Sequence, residues 1–179
     1  YSAFIKLIEN PTTHMAFQIL YFTGIRIGEL FALTAEDINL AEGVMHITKS
    51  LQRMERQDVI TPPKTEKGIR DITLPAFLTK ELENYMAMIY DCNSETRLFG
   101  MSKQSLYYPM KKYAEQAGIP RIRIHDFRHS HVALLIEKGV SPLAIAERLG
   151  HDSVTVTLGT YGHLYPNKQR EIADLLELL

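Results

Sequence analysis

The spacing of apolar positions is helical over most of the chain. Met15, Ile19 and Phe22 fall on one stripe, which predicts a helix over residues 12–23 that ends where Gly24 interrupts the pattern. The same kind of periodicity recurs to the end of the sequence. It predicts further helices at residues 27–33, 76–91, 102–117, 126–138, 141–149 and 168–179.

A stretch in the first half of the chain is richer in β-branched residues and in turn formers. The pair Glu42-Gly43 and the segment Pro62–Gly68 are typical of turns between strands. The sequence therefore predicts an α+β fold that is mostly α-helical, with a small antiparallel β-sheet near its N-terminal third. We place the strands at residues 38–40, 44–52, 59–61 and 69–74.

Length and composition indicate one folded domain. The chain has 179 residues, 45% of them hydrophobic, which is enough for a core and too many for a disordered chain. No apolar run approaches the ~20 residues that span a bilayer, and the sequence shows no secretory signal, so we expect a cytoplasmic protein without membrane contact. The single cysteine, Cys92, excludes an internal disulfide and fits a reducing compartment. Because the first residue is Tyr1 rather than Met, we expect a piece of a longer chain.

The net charge of −1, from 20 Lys+Arg and 21 Asp+Glu, argues against a nucleic-acid partner, because DNA-binding domains are usually basic. The charges are, however, unevenly distributed. Residues 97–131 hold seven cations against Glu115 and Asp126, and such a band is able to bind a polyanion. A solvated surface is the alternative interpretation. The cations are Arg97, Lys103, Lys111, Lys112, Arg121, Arg123 and Arg128.

The segment IHDFRHSH is the densest cluster of candidate chemistry. His125 and Arg128 are three residues apart, so they share one face of a helix. An arginine fork and a histidine side by side can bind an anionic oxygen from two directions. A plain helix start with polar residues is the alternative. A zinc site of His125, His129 and His131 is a third interpretation, but too few further ligands complete it, and we expect no metal.

Three other stretches carry single candidates that are ordinary when taken alone. Arg26 lies at a break between two predicted helices, where a surface arginine capping a helix end is the usual interpretation. Lys64 lies in a turn, where lysines are usually solvated. His151 follows Gly150 at a predicted helix end, and Tyr161 lies ten residues later.

Taken together, these stretches resemble the catalytic domain of the tyrosine recombinases, also called the phage integrase family. The motifs are TGIRIGEL, KTEKGIR, HDFR, LGH and TLGTYGH, in this order and spread over residues 23–166. Six matching positions in the right order are a specific signal, although each motif alone is weak. The resemblance implies a catalytic set of Arg26, Lys64, His125, Arg128, His151 and Tyr161.

The resemblance also implies a role for each member of this set. Tyr161 would attack a DNA phosphate and form a 3′-phosphotyrosyl link, with Lys64 protonating the departing 5′ oxygen. The arginines would fork onto the non-bridging phosphate oxygens as charge develops, so that neither a metal nor another cofactor is expected. His125 would be the general base and a hydrogen-bond donor, and His151 would position the phosphate or the tyrosine.

The function that the resemblance implies is site-specific recombination of DNA, in the integration or excision of a mobile element. A chromosome-dimer resolvase and a type I topoisomerase share this chemistry and remain alternatives. A DNA-binding module without catalysis and a metal-dependent nuclease are alternatives of other classes; the intact catalytic set argues against the first, and the lack of clustered carboxylates against the second.

The resemblance assigns residues 1–179 to the catalytic domain alone, without the separate N-terminal DNA-binding domain of relatives. Double-stranded DNA is the expected partner, and a homotetramer on DNA the expected assembly. The last segment, 168–179, is amphipathic and would dock on its own core or on a neighbouring protomer. Its apolar stripe is Ile172, Leu175, Leu176 and Leu179, and the expected DNA-binding residues are Lys103, Lys111, Lys112, Arg121 and Arg123.

Two positions depart from the family pattern without removing a catalytic group. Gly28 stands where many relatives have Ser, and Gly162 follows the tyrosine where Ser or Thr is common. Because Gly159 and Gly162 flank Tyr161, we expect them to loosen the loop that carries the tyrosine.

Overall fold

The computed structural model describes residues 1–55, 57–166, 173, 174, 176 and 177, and the described part is an α+β fold dominated by helices. The α-helices are α1 (Ser2–Ile5), α2 (Pro11–Thr23), α3 (Ile27–Ala32), α4 (Ala76–Ala87), α5 (Lys103–Gln116), α6 (Asp126–Glu137), α7 (Pro142–Leu149) and α8 (Val154–Tyr161). The strands are β1 (Ile38–Asn39), β2 (Val44–Ile47), β3 (Ser50–Met54), β4 (Gln57–Thr61) and β5 (Arg70–Thr73). Short 3₁₀ turns lie at Ala35–Asp37, Glu66–Gly68 and Gly162–Leu164.

Helix α2 is the centre of the main core. Asn10 caps its start by accepting from the Thr13 N–H at 2.9 Å, and Pro11 occupies the first helical position, where its missing N–H costs nothing. Helix α2 is buried on more than the predicted stripe of Met15, Ile19 and Phe22, because both α4 and α6 pack against it. An apolar helix covered in this way makes a rigid platform for the elements that follow.

The predicted antiparallel sheet is present, but as two separate sheets. Strands β1, β2 and β5 form one in the order β1-β2-β5, while β3 and β4 form a hairpin. The sequence predicts residues 44–52 as a single strand; the structure breaks it after β2. Lys49 lies at the break and pairs with Asp37 and Glu36, each at 3.1 Å, which ties the chain to the turn before β1.

Two helices are absent from the sequence prediction. The first, α1, is a single turn whose Phe4 and Ile5 are buried. The second is α8, over residues where β-branched side chains and Gly159 disfavour a helix. It forms because Ser153 caps it and because Thr157 and Tyr161 are buried in tertiary contacts, which outweigh the weak local preference. Tyr161 therefore ends a helix instead of lying in a loosened loop.

A small second core joins the last three helices. Val132 and Ile136 of α6 pack with Ile145 and Leu149 of α7, and the Tyr161 ring closes the group. In the part of the chain that is described, no helix is long and apolar enough to cross a membrane. Most of the predicted helix 168–179 lies outside the described residues, so its docking stays a prediction.

Candidate active site

Three of the six expected catalytic residues line one open cleft of ≈ 410 Å³. Arg26 reaches it from the start of α3, Lys64 from the turn between β4 and β5, and His151 from the end of α7. Arg128 closes the back of the cleft, since its Nη2 lies 3.0 Å from Nε2 of His151. Residues that are far apart in the sequence therefore meet at one cleft, which is large enough to hold a small anionic group.

Arg26 is held at the mouth of the cleft by Glu29. The backbone N–H of Arg26 donates to the Glu29 carboxylate at 2.8 Å, and its Nη1 donates to the same carboxylate at 2.9 Å. Its side chain is 44% exposed while that of Glu29 is 3% exposed, so a buried carboxylate anchors an accessible guanidinium. A phosphate could bind Arg26 without requiring it to leave Glu29.

Arg70 completes the charge balance around Glu29. Its two terminal nitrogens donate to the two carboxylate oxygens at 3.2 and 2.9 Å, and its Nε donates to the Arg148 carbonyl at 2.8 Å. Burial by itself raises the pKa of Glu29, but hydrogen bonds and charge from Arg70 and Arg26 outweigh it, and the net pKa is lowered. Glu29 is therefore an anion that holds two arginines.

Arg128 is buried, with 4% exposure, and is fixed by backbone groups of two motifs. Its Nη1 donates to the Gly24 carbonyl at 2.7 Å and its Nη2 to the Leu149 carbonyl at 2.9 Å. Burial is the main cause that lowers its pKa to about 9, and nearby Arg26 adds to the effect. Arg128 is still a cation at neutral pH, and its charge concentrates positive potential at the back of the cleft.

His151 is neutral and its ring is oriented from both sides. Its Nε2 faces the Arg128 donor, while its Nδ1 lies 2.8 Å from Oγ1 of Thr157. Burial and the charges of Arg128, Arg26 and Arg70 lower its pKa to about 4. Since Arg128 can only donate, Nε2 accepts and Nδ1 carries the proton toward Thr157.

Two motif glycines are explained by positive φ and by close approach. Gly24 ends α2 at φ 67°, and a Cβ there would lie 2.6 Å from Cδ2 of His131. Gly150 ends α7 at φ 66°, and a Cβ there would lie 2.8 Å from the Lys67 carbonyl. Any larger residue would push apart the segments that carry Arg26 and His151.

Tyr161 lies beside this cleft, not in it. The residue is 6% exposed, and its Oη lies 2.7 Å from Nδ1 of His129. Burial raises the pKa of the Tyr161 hydroxyl, while Arg128 opposes the rise. In the described structure the expected nucleophile is thus paired with a histidine that the motif comparison does not assign.

His125 has a different position from the one expected of a base paired with the tyrosine. It is exposed at the start of α6, and its ring meets the His129 ring edge-on with centroids 4.9 Å apart. Burial of part of the ring lowers its pKa, with His129 and Arg128 contributing. His129 stands between His125 and Tyr161, so the three rings form a row.

The turn that carries Lys64 holds a second lysine with a separate use. Lys64 is exposed and lines the cleft. Lys67, three residues on, donates to the backbone carbonyl of Asp152 at 2.7 Å and does not line the cleft. The structure therefore places Lys64 on the cleft, whereas Lys67 ties the turn to the chain after His151.

The five expected DNA-binding residues are all exposed, on α5 and the segment that follows it. Lys111, Arg121 and Arg123 line one groove of ≈ 620 Å³ together with Tyr107 and Tyr108. Arg123 is partly neutralised, because its Nη2 lies 3.0 Å from the Asp126 carboxylate. Lys112 lies over the Tyr113 ring, 5.0 Å from its centroid, and Lys103 is at the start of α5.

Among the described residues no group of three or more His, Cys, Asp or Glu side chains is arranged to hold a metal ion. The zinc interpretation fails at His131, which is buried away from the other two histidines. Its Nδ1 lies 2.8 Å from the Tyr21 carbonyl, and its Nε2 accepts from Arg148 at 3.2 Å. Both ring nitrogens of His131 are therefore occupied by the protein itself.

Sequence reasoning missed four residues that organise this site. Glu29 and Arg70 lie inside the motifs TGIRIGEL and KTEKGIR, and their charge is the signal that marks them. His129 directly follows Arg128, and its spacing in the sequence suggests only a metal ligand. Thr157 lies in TLGTYGH four residues before Tyr161, with no signal that it would orient His151.

Comparison with known proteins identifies the family of this chain. The chain belongs to the phage integrase family, whose family model matches residues 3–168. The resemblance to the catalytic domain of the tyrosine recombinases is thereby confirmed.

Individual relatives cover nearly the whole chain. It is 38% identical over 194 residues to the ICEBs1 integrase of Bacillus subtilis (strain 168), covering 99% of this chain and 52% of the relative. It is 28% identical over 174 residues to the tyrosine recombinase XerA of Thermococcus kodakarensis, covering 90% of this chain and 55% of that one. The chain thus spans about half the length of these relatives.

Solved structures match the fold. The Tn1549 transposon integrase, solved in complex with circular intermediate DNA, superposes with a TM-score of 0.79 at 23% identity, over 99% of this chain and 64% of that one. The crystal structure of XerA recombinase superposes with a TM-score of 0.68 at 19% identity, over 93% and 61%. At this identity the likeness shows the fold alone.

Proposed function

We propose that this chain is the catalytic domain of a site-specific recombinase that integrates or excises a mobile element by cutting and rejoining DNA. The observation that carries the proposal is the convergence of Arg26, Lys64, His151 and Arg128 on one cleft, with Tyr161 beside it. Membership of the phage integrase family supports it, as does the likeness to a B. subtilis integrase.

The arginines stabilise the reacting phosphate. Arg26 is accessible and already charge-balanced by Glu29, so it can fork onto the non-bridging oxygens. Arg128 supplies a buried, pre-oriented charge that needs no reorganisation when negative charge builds up in the transition state. Each such donor typically contributes ~3–4 kcal/mol to lowering the barrier.

The strand is cut by exchange of one ester for another. The Tyr161 oxygen turns toward the cleft, loses its proton to a histidine base and bonds to phosphorus. The bond from phosphorus to the 5′ oxygen breaks, and that oxygen takes a proton from Lys64. The 3′-phosphotyrosyl link keeps the phosphodiester bond, so a 5′ hydroxyl of another strand can reverse the step without an energy source.

The test is covalent trapping on nicked attachment-site DNA with the full-length protein that contains this chain. On a nicked duplex the released 5′ strand diffuses away, so the adduct accumulates and is measured on a denaturing gel. We expect Tyr161→Phe to abolish the adduct while DNA affinity stays within about twofold, because only the nucleophilic oxygen is removed. Exposed Tyr90→Phe is the control and should form adduct as the unaltered protein does. An adduct with Tyr161→Phe would overturn the assignment.

A type I topoisomerase would use the same tyrosine chemistry. It would relax supercoiled DNA that carries no attachment site, whereas the proposed recombinase needs its site. If the protein relaxed a plasmid without an attachment site, and Tyr161→Phe lost this activity, the function of the domain would be DNA relaxation and not recombination.

We propose double-stranded DNA as the partner and a tetramer on two duplexes as the working assembly. The groove beside α5 supplies cations for the DNA backbone, in agreement with the excess of basic residues in 97–131.

The segment 168–179 would dock on a neighbouring protomer through its apolar stripe. Its deletion should leave the thermal unfolding temperature unchanged and abolish assembly on DNA; loss of folding would instead place the segment on its own core.

A further inference from the structure

Tyr161 occupies a depression of its own. The depression is lined by His129, Ser130 and Ala133 of α6 and by residues around the end of α8. It has no lining residue in common with the cleft that holds Arg26 and Lys64. The tyrosine oxygen thus rests in a depression separate from the cleft that Arg26, Lys64 and His151 line.

Two kinds of contact keep Tyr161 in this depression. Its ring belongs to the second core, which also contains Val132 and Leu149. Its Oη is joined to Nδ1 of His129 at 2.7 Å, and this is the one hydrogen bond that the hydroxyl makes with described residues. The apolar contacts and the His129 bond together hold the ring, and the oxygen moves only with the ring.

Attack on phosphorus places strict demands on that oxygen. It must come within roughly 3–3.5 Å of the reacting atom and in line with the leaving group. The oxygen cannot keep its bond to His129 in the depression and also enter the cleft, so the bond competes with attack through the position of the oxygen. If the cleft is to receive the hydroxyl, the His129 bond must break first.

We propose that His129 is a positioning residue that holds the Tyr161 hydroxyl in a resting position beside the cleft, and that releasing this bond is a step on the way to cleavage. The inference rests on the proposed function, since it concerns the same nucleophile. A single bond of this kind shifts an equilibrium by about twofold to tenfold, so the hold is weak enough for DNA binding to overcome.

The experiment compares two substitutions of His129 in the full-length protein on nicked attachment-site DNA. His129→Leu removes the bond and replaces the ring by an apolar side chain of similar bulk. His129→Asn places an amide near the position of Nδ1, where it can still bond the hydroxyl. His163→Leu is the matched control, because His163 lines the same depression and no hydrogen bond joins it to Tyr161.

The measured quantity is the single-turnover rate of adduct formation at saturating protein, with DNA affinity and thermal unfolding temperature recorded for each variant. We expect His129→Leu to form the adduct about twofold to tenfold faster than the unaltered protein. His129→Asn and His163→Leu should stay within about twofold of it. A faster rate at an unchanged unfolding temperature separates the effect of the His129 bond from a merely structural role.

Three results would overturn the proposal that His129 holds the Tyr161 hydroxyl. An unchanged rate in His129→Leu would show that the bond does not compete with attack. A rate lowered tenfold or more in both His129 variants, at unchanged unfolding temperature, would make His129 a proton acceptor in the reaction. A slow, destabilised His129→Leu beside a normal His129→Asn would assign the bond to folding. Absence of any adduct with the unaltered protein would instead refute the proposed function.

Discussion

The turn between β4 and β5 places two lysines within three residues, and the chain uses them differently. Lys64 lines the cleft, while Lys67 is committed to the Asp152 carbonyl. Charge alone cannot distinguish them, since both are exposed cations in one turn. The ammonium group of Lys67 is bonded to a backbone carbonyl and that of Lys64 is at the cleft, which supports Lys64 as the proposed acid for the leaving group.

We expect Lys64→Ala to slow adduct formation by about 10²–10³-fold, because a general acid is lost. Replacing the bridging 5′ oxygen of the DNA by sulfur should restore most of the rate, since a thiolate leaves without a proton. Single-turnover trapping measures both rates. Lys67→Ala is the matched control and should stay within a few-fold of the unaltered protein; an equal loss in both lysine variants would contradict the assignment.

Gly24 shows how a single backbone position joins elements. It ends α2 with a left-handed conformation, packs against His131 and offers its carbonyl to Arg128. Gly139, after α6, has a similar φ of 77° but no atom within 4 Å of where its Cβ would be. Replacing Gly139 by a larger residue therefore costs only the strained backbone conformation, whereas replacing Gly24 also brings the new side chain into contact with His131.

At the scale of elements, we expect Gly139→Ala to lower the free energy of unfolding by about 1–2 kcal/mol, the cost of a left-handed alanine. Gly24→Ala should cost at least about 1 kcal/mol more, because the new methyl group overlaps His131 where α2 meets α6. Denaturant unfolding of both variants measures the difference. Equal losses would mean that the junction relaxes without strain.

Helix α8 and the break between β2 and β3 are the elements that local sequence does not predict. Residues 154–161 are poor helix formers, and α8 depends on the second core that Tyr161 closes. The break at Lys49 depends on Asp37 and Glu36, which precede it by more than ten residues. Predictions from local periodicity succeed for α2, α5 and α7 because those helices carry their own caps or apolar stripes.

For the whole molecule, stability should depend on pH through buried neutral histidines. His131 is 3% exposed, and burial, with help from Arg148, lowers its pKa to about 4. An unfolded histidine titrates near ~6.5. Between these values the unfolded state binds the extra proton, so the free energy of unfolding falls as pH decreases from about 6.5 to about 4.

The loss due to His131 is at most about 3 kcal/mol over that window, at 1.36 kcal/mol for each pKa unit. Urea unfolding between pH 7 and pH 4 measures it. His131→Asn removes the titrating ring and keeps a donor for the Tyr21 carbonyl, so its pH dependence should be shallower by that amount. The same slope in both proteins would show that other groups cause the acid sensitivity.

DNA binding by the whole domain should be weak and strongly salt-dependent, because the net charge of −1 leaves only a local basic face. We expect the double variant Lys111→Ala, Arg121→Ala to reduce the slope of log affinity against log salt by about 2, one for each lost phosphate contact. Fluorescence anisotropy at several salt concentrations measures the slope. Lys80→Ala on α4, where Lys80 pairs with Glu83, is the control and should leave it unchanged.

The sequence by itself determined the family, the order of the motifs and five of the six positions that gather around the cleft or beside it. Two of the motifs place a glycine that local geometry requires just before a candidate site residue, Gly24 before Arg26 and Gly150 before His151. It also determined the helical core, whose apolar periodicity is a local property.

Only the tertiary structure decided which histidine meets the nucleophile and where that nucleophile rests. His125 and His129 are four residues apart on one helix, so sequence spacing cannot tell which of them Tyr161 contacts. That contact depends on how α8 packs against α6 and α7, and packing is set by the shape of the second core. The net charge of the chain, which is near zero, argues against DNA binding. It does not show that folding brings cations distant in sequence together in one cleft and one groove.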